Sequence, residues 1–95
     1  MLGMDAGFAA YAQGDYVTAA QIFEALARDG HAVAQFNIGL MFIKGHGVSP
    51  DLSTAAKWYQ LAAEQGHLRA QLSLGLMYEN GEGVARDDSA ALAWY

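Results

Sequence analysis

An all-α solenoid of antiparallel helix hairpins is the fold class this sequence predicts, and three observations carry it. The chain repeats itself at a fixed interval. Each repeat alternates helix-forming stretches with glycine-bearing turns, and its helices carry more apolar surface than a single hairpin can bury. Shifting the 95-residue sequence by 36 positions lays 34–59 on 70–95 with 13 of 26 residues identical. Among the pairs are Gln35/Gln71, Gly39/Gly75, Gly47/Gly83, Asp51/Asp87, Trp58/Trp94 and Tyr59/Tyr95. The same shift lays 15–31 on 51–67, matching Asp15/Asp51, Thr18/Thr54, Ala19/Ala55, Gly30/Gly66 and His31/His67. Upstream the register slips: Gly7 precedes Ala19 by 12 residues where Gly39 precedes Ala55 by 16, so the first unit is four loop residues short. The chain is therefore expected to be one repeat domain over 1–95, with a first unit at 4–31, a full unit at 32–67 and a shortened unit at 68–95.

The elements follow in order. The first unit turns at Gly14-Asp15-Tyr16 between its two helices. In the second, residues 33–44 are rich in Ala, Leu, Ile, Met and Phe and form a helix apolar around most of its circumference. Such a helix must be covered on several sides, by its hairpin partner and by the next unit. Gly45 and Gly47 then make a tight turn through the positive φ that other residues resist. Residues 52–65 place Ala55, Trp58 or Tyr59, and Ala62 at helical three- and four-residue steps. Asp51 and Asp87 are placed to cap these second helices, and Gly30 and Gly66 to end them. Small residues mark close approaches: Gly39 and Gly75 in first helices, Ala19, Ala55 and Ala91 in second ones. Ala55→Leu is expected to overpack that contact and cost about 1–3 kcal/mol, read as a fall in melting temperature.

The string Ala-Gln-x-x-x-Gly-Leu-Met-(Phe/Tyr)-x-x-Gly-x-Gly-Val-x-x-Asp-x-x-x-Ala-x-x-Trp-Tyr-x-x-Ala-Ala-x-x-Gly resembles the Sel-1-like repeat, a relative of the tetratricopeptide repeat. It covers 34–66 in full and 70–95 up to the chain end, while 7–30 is closer to a plain tetratricopeptide hairpin. The resemblance implies a right-handed α-α superhelix whose first helices line a concave groove. It also implies a scaffold or adaptor role, often in bacterial secretion, envelope or signalling systems. With the first helices inside the curve, Phe36, Leu40 and Ile43 fall along one stripe. Leu72 and Leu76 continue it, Met4, Phe8 and Tyr11 begin it, and Lys44, Arg69 and Asn80 stand at its edge. An exposed apolar strip of that kind indicates a protein or peptide partner. The opposing expectation is that tight curvature closes the groove and buries these side chains.

Other chemistries find little support. Ten acids against five bases give a net charge of −5, and the bases (Arg28, Lys44, Lys57, Arg69, Arg86) are scattered singly, which argues against nucleic acid. There is no cysteine for disulfide, thiolate or thiol chemistry. The longest strongly apolar run, 38–43, is far short of the roughly 20 residues that span a bilayer. Gly45-x-Gly47 lacks the lysine and hydroxyl of a phosphate loop. His31 and His67 are one unit apart, about 8–10 Å at helix-packing distance, too far for one ion with ~2 Å bonds; no metal and no cofactor is expected. The resemblance brings one enzymatic alternative, a cell-wall or β-lactam-related hydrolase, as described for some relatives. The usual nucleophile for that reaction is Ser-x-x-Lys on a helix, and here only Thr54-Ala-Ala-Lys57 has the spacing. The second helix of the last unit stops at Trp94-Tyr95, so the expectation is either a continuing chain or a homodimer through that end. Nothing in the N-terminal residues directs export, which makes the cytoplasm the default and leaves a removed leader open.

Overall fold

A computed structural model describes residues 3–95, and among them forms six α-helices and no strand. These are α1 (Met4–Ala12), α2 (Tyr16–Arg28), α3 (Ala32–Lys44), α4 (Leu52–Glu64), α5 (Leu68–Asn80) and α6 (Asp88–Trp94). Each helix packs chiefly on its neighbours in sequence. The result is two layers, α1, α3 and α5 in one and α2, α4 and α6 in the other, in a body 40 × 24 × 18 Å across. An elongated shape built from sequential contacts is what stacked hairpins produce.

The helix boundaries have local causes. Asp15, Asp51 and Asp87 each accept a hydrogen bond from the backbone N–H three residues on, at 3.3, 3.1 and 3.0 Å. That satisfies one of the free amides every helix start leaves over. At Asp51 the Thr54 hydroxyl donates as well, at 2.9 Å, and the two bonds from Thr54 hold this carboxyl below its ordinary range. Gly45 and Gly81 end α3 and α5 in the left-handed conformation, with φ of 72° and 68°. The carbonyl ends of the second helices are closed by the next unit: Gln35 Nε2 donates to Ala27 O at 3.2 Å and Gln71 Nε2 to Ala63 O at 3.1 Å. The repeated glutamines thus have a structural task. Gln65 adds to the seal, donating to both Gly30 O and Gln35 Oε1 at 2.9 Å.

Close approach of the layers depends on one small residue facing one aromatic ring in every hairpin. A Cβ placed on Gly7 would stand 2.7 Å from the Phe23 ring, on Gly39 2.8 Å from Tyr59, and on Gly75 2.5 Å from Tyr95. Ala19, Ala55 and Ala91 are buried as well, and the Ala55 carbonyl would stand 3.3 Å from a Cβ on Gly39. The 16-residue offset from Gly7 to Phe23, against 20 for the other two pairs, is the four-residue loop deletion seen in the sequence.

The core lies between hairpins as much as within them. One buried cluster joins Phe23, Leu26 and Ala19, Ala20 and Ala27 of α2 to Ile38 and Met41 of α3, and Trp58 of α4 packs back onto it. A second joins Phe36 of α3 and Tyr59 of α4 to Leu74 and Met77 of α5, with Trp94 packing back from α6. Trp58 and Tyr59 therefore divide the work. Tyr59 packs on Gly39 and Phe36 of its own hairpin and within the second cluster, whereas Trp58 packs on the first cluster, built by α2 and α3. Tyr95 is half-exposed, its ring over Gly75 and its hydroxyl donating to Glu79 at 3.2 Å.

Candidate functional site

The first-helix layer carries the residues expected to form a groove, and the structure sorts them into columns that recur from unit to unit. The first column is Met4, Phe36 and Leu72, the second Phe8, Leu40 and Leu76, and the third Tyr11, Ile43 and Glu79. These follow from the shift of 32 between the first two units and 36 between the second and third.

The first column is a seal between units, which corrects the expectation for Phe36. Met4 is half-buried against the first core cluster. Phe36 is only 5% exposed, with its ring stacked on Tyr59 at 5.3 Å and on His67 at 4.8 Å. The Arg69 guanidinium covers it 4.9 Å from the ring centroid. Phe36 therefore presents nothing to a groove. Leu72, at the same position one unit later, is 56% exposed.

The second column is more open, although Leu40 packs partly on the second core cluster. Phe8 is 45% and Leu76 50% exposed, and Leu40 is half-buried. Between α1 and α3 lies a hollow of about 270 Å³, lined by Phe8, Tyr11, Asn37, Leu40, Met41 and Lys44 over the ring of Phe23. Phe23 reaches this floor because Gly7 has no side chain to block it. Ile43, Lys44, Arg69 and Asn80 are exposed along the edges of the layer. The hydroxyl of Tyr11 is hydrogen-bonded to His46 Nδ1 at 2.8 Å, and the His46 ring stacks flat on Tyr16 at 4.2 Å.

Asn37 and Phe23, which line the hollow, and His46, which is tied to Tyr11, were not anticipated here. Asn37 lies one turn from Leu40 and was legible from helical spacing. His46 was not, because Glu82 replaces it in the next unit and no repeat supports it. A larger hollow, about 510 Å³, opens where α4 faces α5, lined by Ala56, Lys57, Gln60, Leu61, Leu74 and Tyr78 among others. Its signal is Leu61, 44% exposed, where the preceding unit has Ala25.

His67 links the site to stability. Its Nδ1 accepts from the Ala70 amide at 3.2 Å, capping α5, while its ring lies on Phe36. Burial, with Arg69 alongside, holds its pKa below the ordinary histidine value. The folded state thus disfavours the proton that the unfolded chain accepts, so stability is present above the unfolded pKa and is lost as pH falls through the folded one. Lowering the pH from about 7.5 to 5.5 is expected to reduce the melting temperature, and His67→Asn, which keeps a capping acceptor, is expected to flatten that dependence. An unchanged slope in the variant would show that the cap is not the titrating group.

Comparison with known proteins extends these observations. The Sel1 repeat family profile matches 32–67 and 68–95. No curated protein matches the chain. Among solved structures, it is similar to a protective antigen present in uropathogenic Escherichia coli strains and displaying an SLR fold, at 37% identity and a TM-score of 0.90 over 97% of this chain. It is similar to a Sel1 repeat protein from Oxalobacter formigenes at 34% identity and a TM-score of 0.90 over 98% of this chain. Helicobacter pylori cysteine rich protein B shares the fold, at 22% identity and a TM-score of 0.78 over 81% of this chain. The chain spans only 21%, 38% and 58% of the lengths of these three proteins, respectively.

Proposed function

The chain belongs to the Sel1 repeat family, whose fold is generally a protein-interaction scaffold without chemistry of its own, and from that premise we propose that it grips a segment of a partner protein along its first-helix layer. The observation that carries the reading is the second column. Phe8, Leu40 and Leu76 offer apolar side chains in register from three successive units, beside a hollow walled by the buried ring of Phe23. Isolated apolar residues on a surface need no explanation, but an aligned row over a hollow is the usual form of a recognition groove. Polar side chains at its border, among them Asn37, Lys44, Arg69 and Asn80, would set orientation while the row supplies affinity. Convergent acid–base pairs are not part of this surface, so the hydrolase alternative gains nothing from it.

The test compares the two hollows. Leu40→Ser with Leu76→Ser is expected to leave the helical circular dichroism intact and to weaken partner capture at least about tenfold, roughly 1.4 kcal/mol. Leu61→Ser, in the hollow between α4 and α5, is expected to leave capture unchanged. Loss of folding in the double variant would mean that the row is core, and loss of capture in Leu61→Ser would move the site to the other layer.

A further inference from the structure

We infer that the loop between α5 and α6 (81–87) is a movable strap over the hollow between α4 and α5, whereas the equivalent loop between α3 and α4 (45–51) is fastened down. The two backbones match. Both loops open on a left-handed glycine, and both rest a second glycine on a backbone carbonyl of the preceding unit, Gly47 on Tyr16 and Gly83 on Leu52. They close in the same way. His46 N–H donates to Met41 O at 3.1 Å and Asp51 N–H to Phe42 O at 2.9 Å; Glu82 N–H donates to Met77 O and Asp87 N–H to Tyr78 O, both at 2.9 Å. A difference in freedom between the loops must therefore come from their side chains.

The side chains differ at each point of attachment. In the first loop the His46 ring lies flat on Tyr16 at 4.2 Å, and its Nδ1 is hydrogen-bonded to the Tyr11 hydroxyl at 2.8 Å. Tyr11 also packs on Tyr16 at 4.8 Å. One loop side chain thus clasps both helices of the unit before it. At the same repeat positions the second junction has Glu82 for His46, Ile43 for Tyr11 and Leu52 for Tyr16. All three are exposed, and no hydrogen bond joins their side chains among the described residues. Pro50 is a further fastening: its ring covers Gly45, and its fixed φ removes freedom from the loop. Arg86 stands in its place in the second loop and reaches Asp88 at 3.4 Å on exposed surface.

What remains to hold the second loop is the Gly83 contact and Val84, which is half-buried on the second core cluster as Val48 is on the first. Gly83 and Val84 also form one wall of the hollow of about 510 Å³, facing Ser53 and Lys57 of α4. Lifting Val84 therefore opens that hollow from the loop side. Local openings are drawn from the parts of a fold with the fewest side-chain attachments, and this loop is such a part.

Amide hydrogen exchange followed by NMR tests this, because the paired backbone hydrogen bonds are equivalent probes. The amides of 82 and 87 are expected to be protected at least about tenfold less than those of 46 and 51. Transplanting the clasp with Ile43→Tyr, Leu52→Tyr and Glu82→His is expected to restore most of that protection. His46→Ala, which needs only a half-buried ring to be removed, is expected to bring the first loop to the level of the second. Equal protection of the two loops in the unaltered chain overturns the proposal. So does a difference that neither set of substitutions moves, since it would then come from the place of the last hairpin and not from the clasp. Thiol labelling reads the hollow itself: Ala56 lines it at 4% exposed, and the chain has no cysteine of its own. The transplanted clasp is expected to slow labelling of Ala56→Cys at least about threefold; an unchanged rate would confine the motion to the loop and overturn the strap.

Discussion

Gly47→Ala is expected to destabilise the chain by about 2–5 kcal/mol, a large share of what a small domain possesses. Two costs add at this position. Gly47 has a φ of +75°, where a side chain costs about 1–2 kcal/mol. A Cβ there would also stand 2.2 Å from the carbonyl oxygen of Tyr16 and 2.5 Å from its carbon. Those are backbone atoms at the start of α2, so relief requires the loop to lift off the preceding unit, and overpacking of that kind typically costs a further 1–3 kcal/mol. Gly83, one unit on, meets Leu52 O at 2.3 Å and is expected to behave alike. Gly30 is the control: its φ is +96° with nothing within 4 Å of an added Cβ, so Gly30→Ala should show the conformational cost alone. Urea denaturation of the three variants separates the terms. Equal losses at Gly30 and Gly47 would mean that the loop does not lock one unit to the next.

This contact also explains why the Gly-x-Gly spacing is repeated. The first glycine ends a helix; the second lets its loop rest on the backbone of the unit before. The spacing was legible in the sequence as a turn, but its role between units was not, since nothing local in 45–51 refers to Tyr16. The same distinction runs through the molecule. Contacts within a hairpin recur at fixed offsets, so the pairing of Gly39 with α4 and the capping by Asp51 could be read from the repeat. Contacts between units depend on which face of a helix looks forward. α3 is apolar nearly all round, and periodicity cannot choose a face when every face qualifies. Hence Phe36, Leu40 and Ile43 read as one stripe, although Phe36 is covered by His67 at the end of its own unit and by Arg69 of the following one, while Leu40 and Ile43 are not. Comparing columns rather than helices separates them, because a seal must find its partner in the next unit and a groove position need not.

Phe36→Ala is the sharpest test of that separation, with an expected loss of about 3–5 kcal/mol for removing a buried aromatic. Its ring is packed between Tyr59 and His67 with Arg69 above it, so truncation leaves a cavity that three neighbours from two units must collapse into. The His67 cap on α5 would lose the surface it leans on, and coupling between these residues makes the loss larger than the area of the ring alone implies. Leu72 occupies the same repeat position but is 56% exposed, and Leu72→Ala is expected to stay within about 1 kcal/mol, as surface changes do. The asymmetry between two equivalent positions is the result to look for in urea melts of the pair. Were Phe36→Ala as mild as Leu72→Ala, Phe36 would return to the groove and the division into a seal and a binding row would fail. If the large loss appears, any binding defect of Phe36→Ala reports on folding. The row that recognises the partner must then be probed through Leu40 and Leu76.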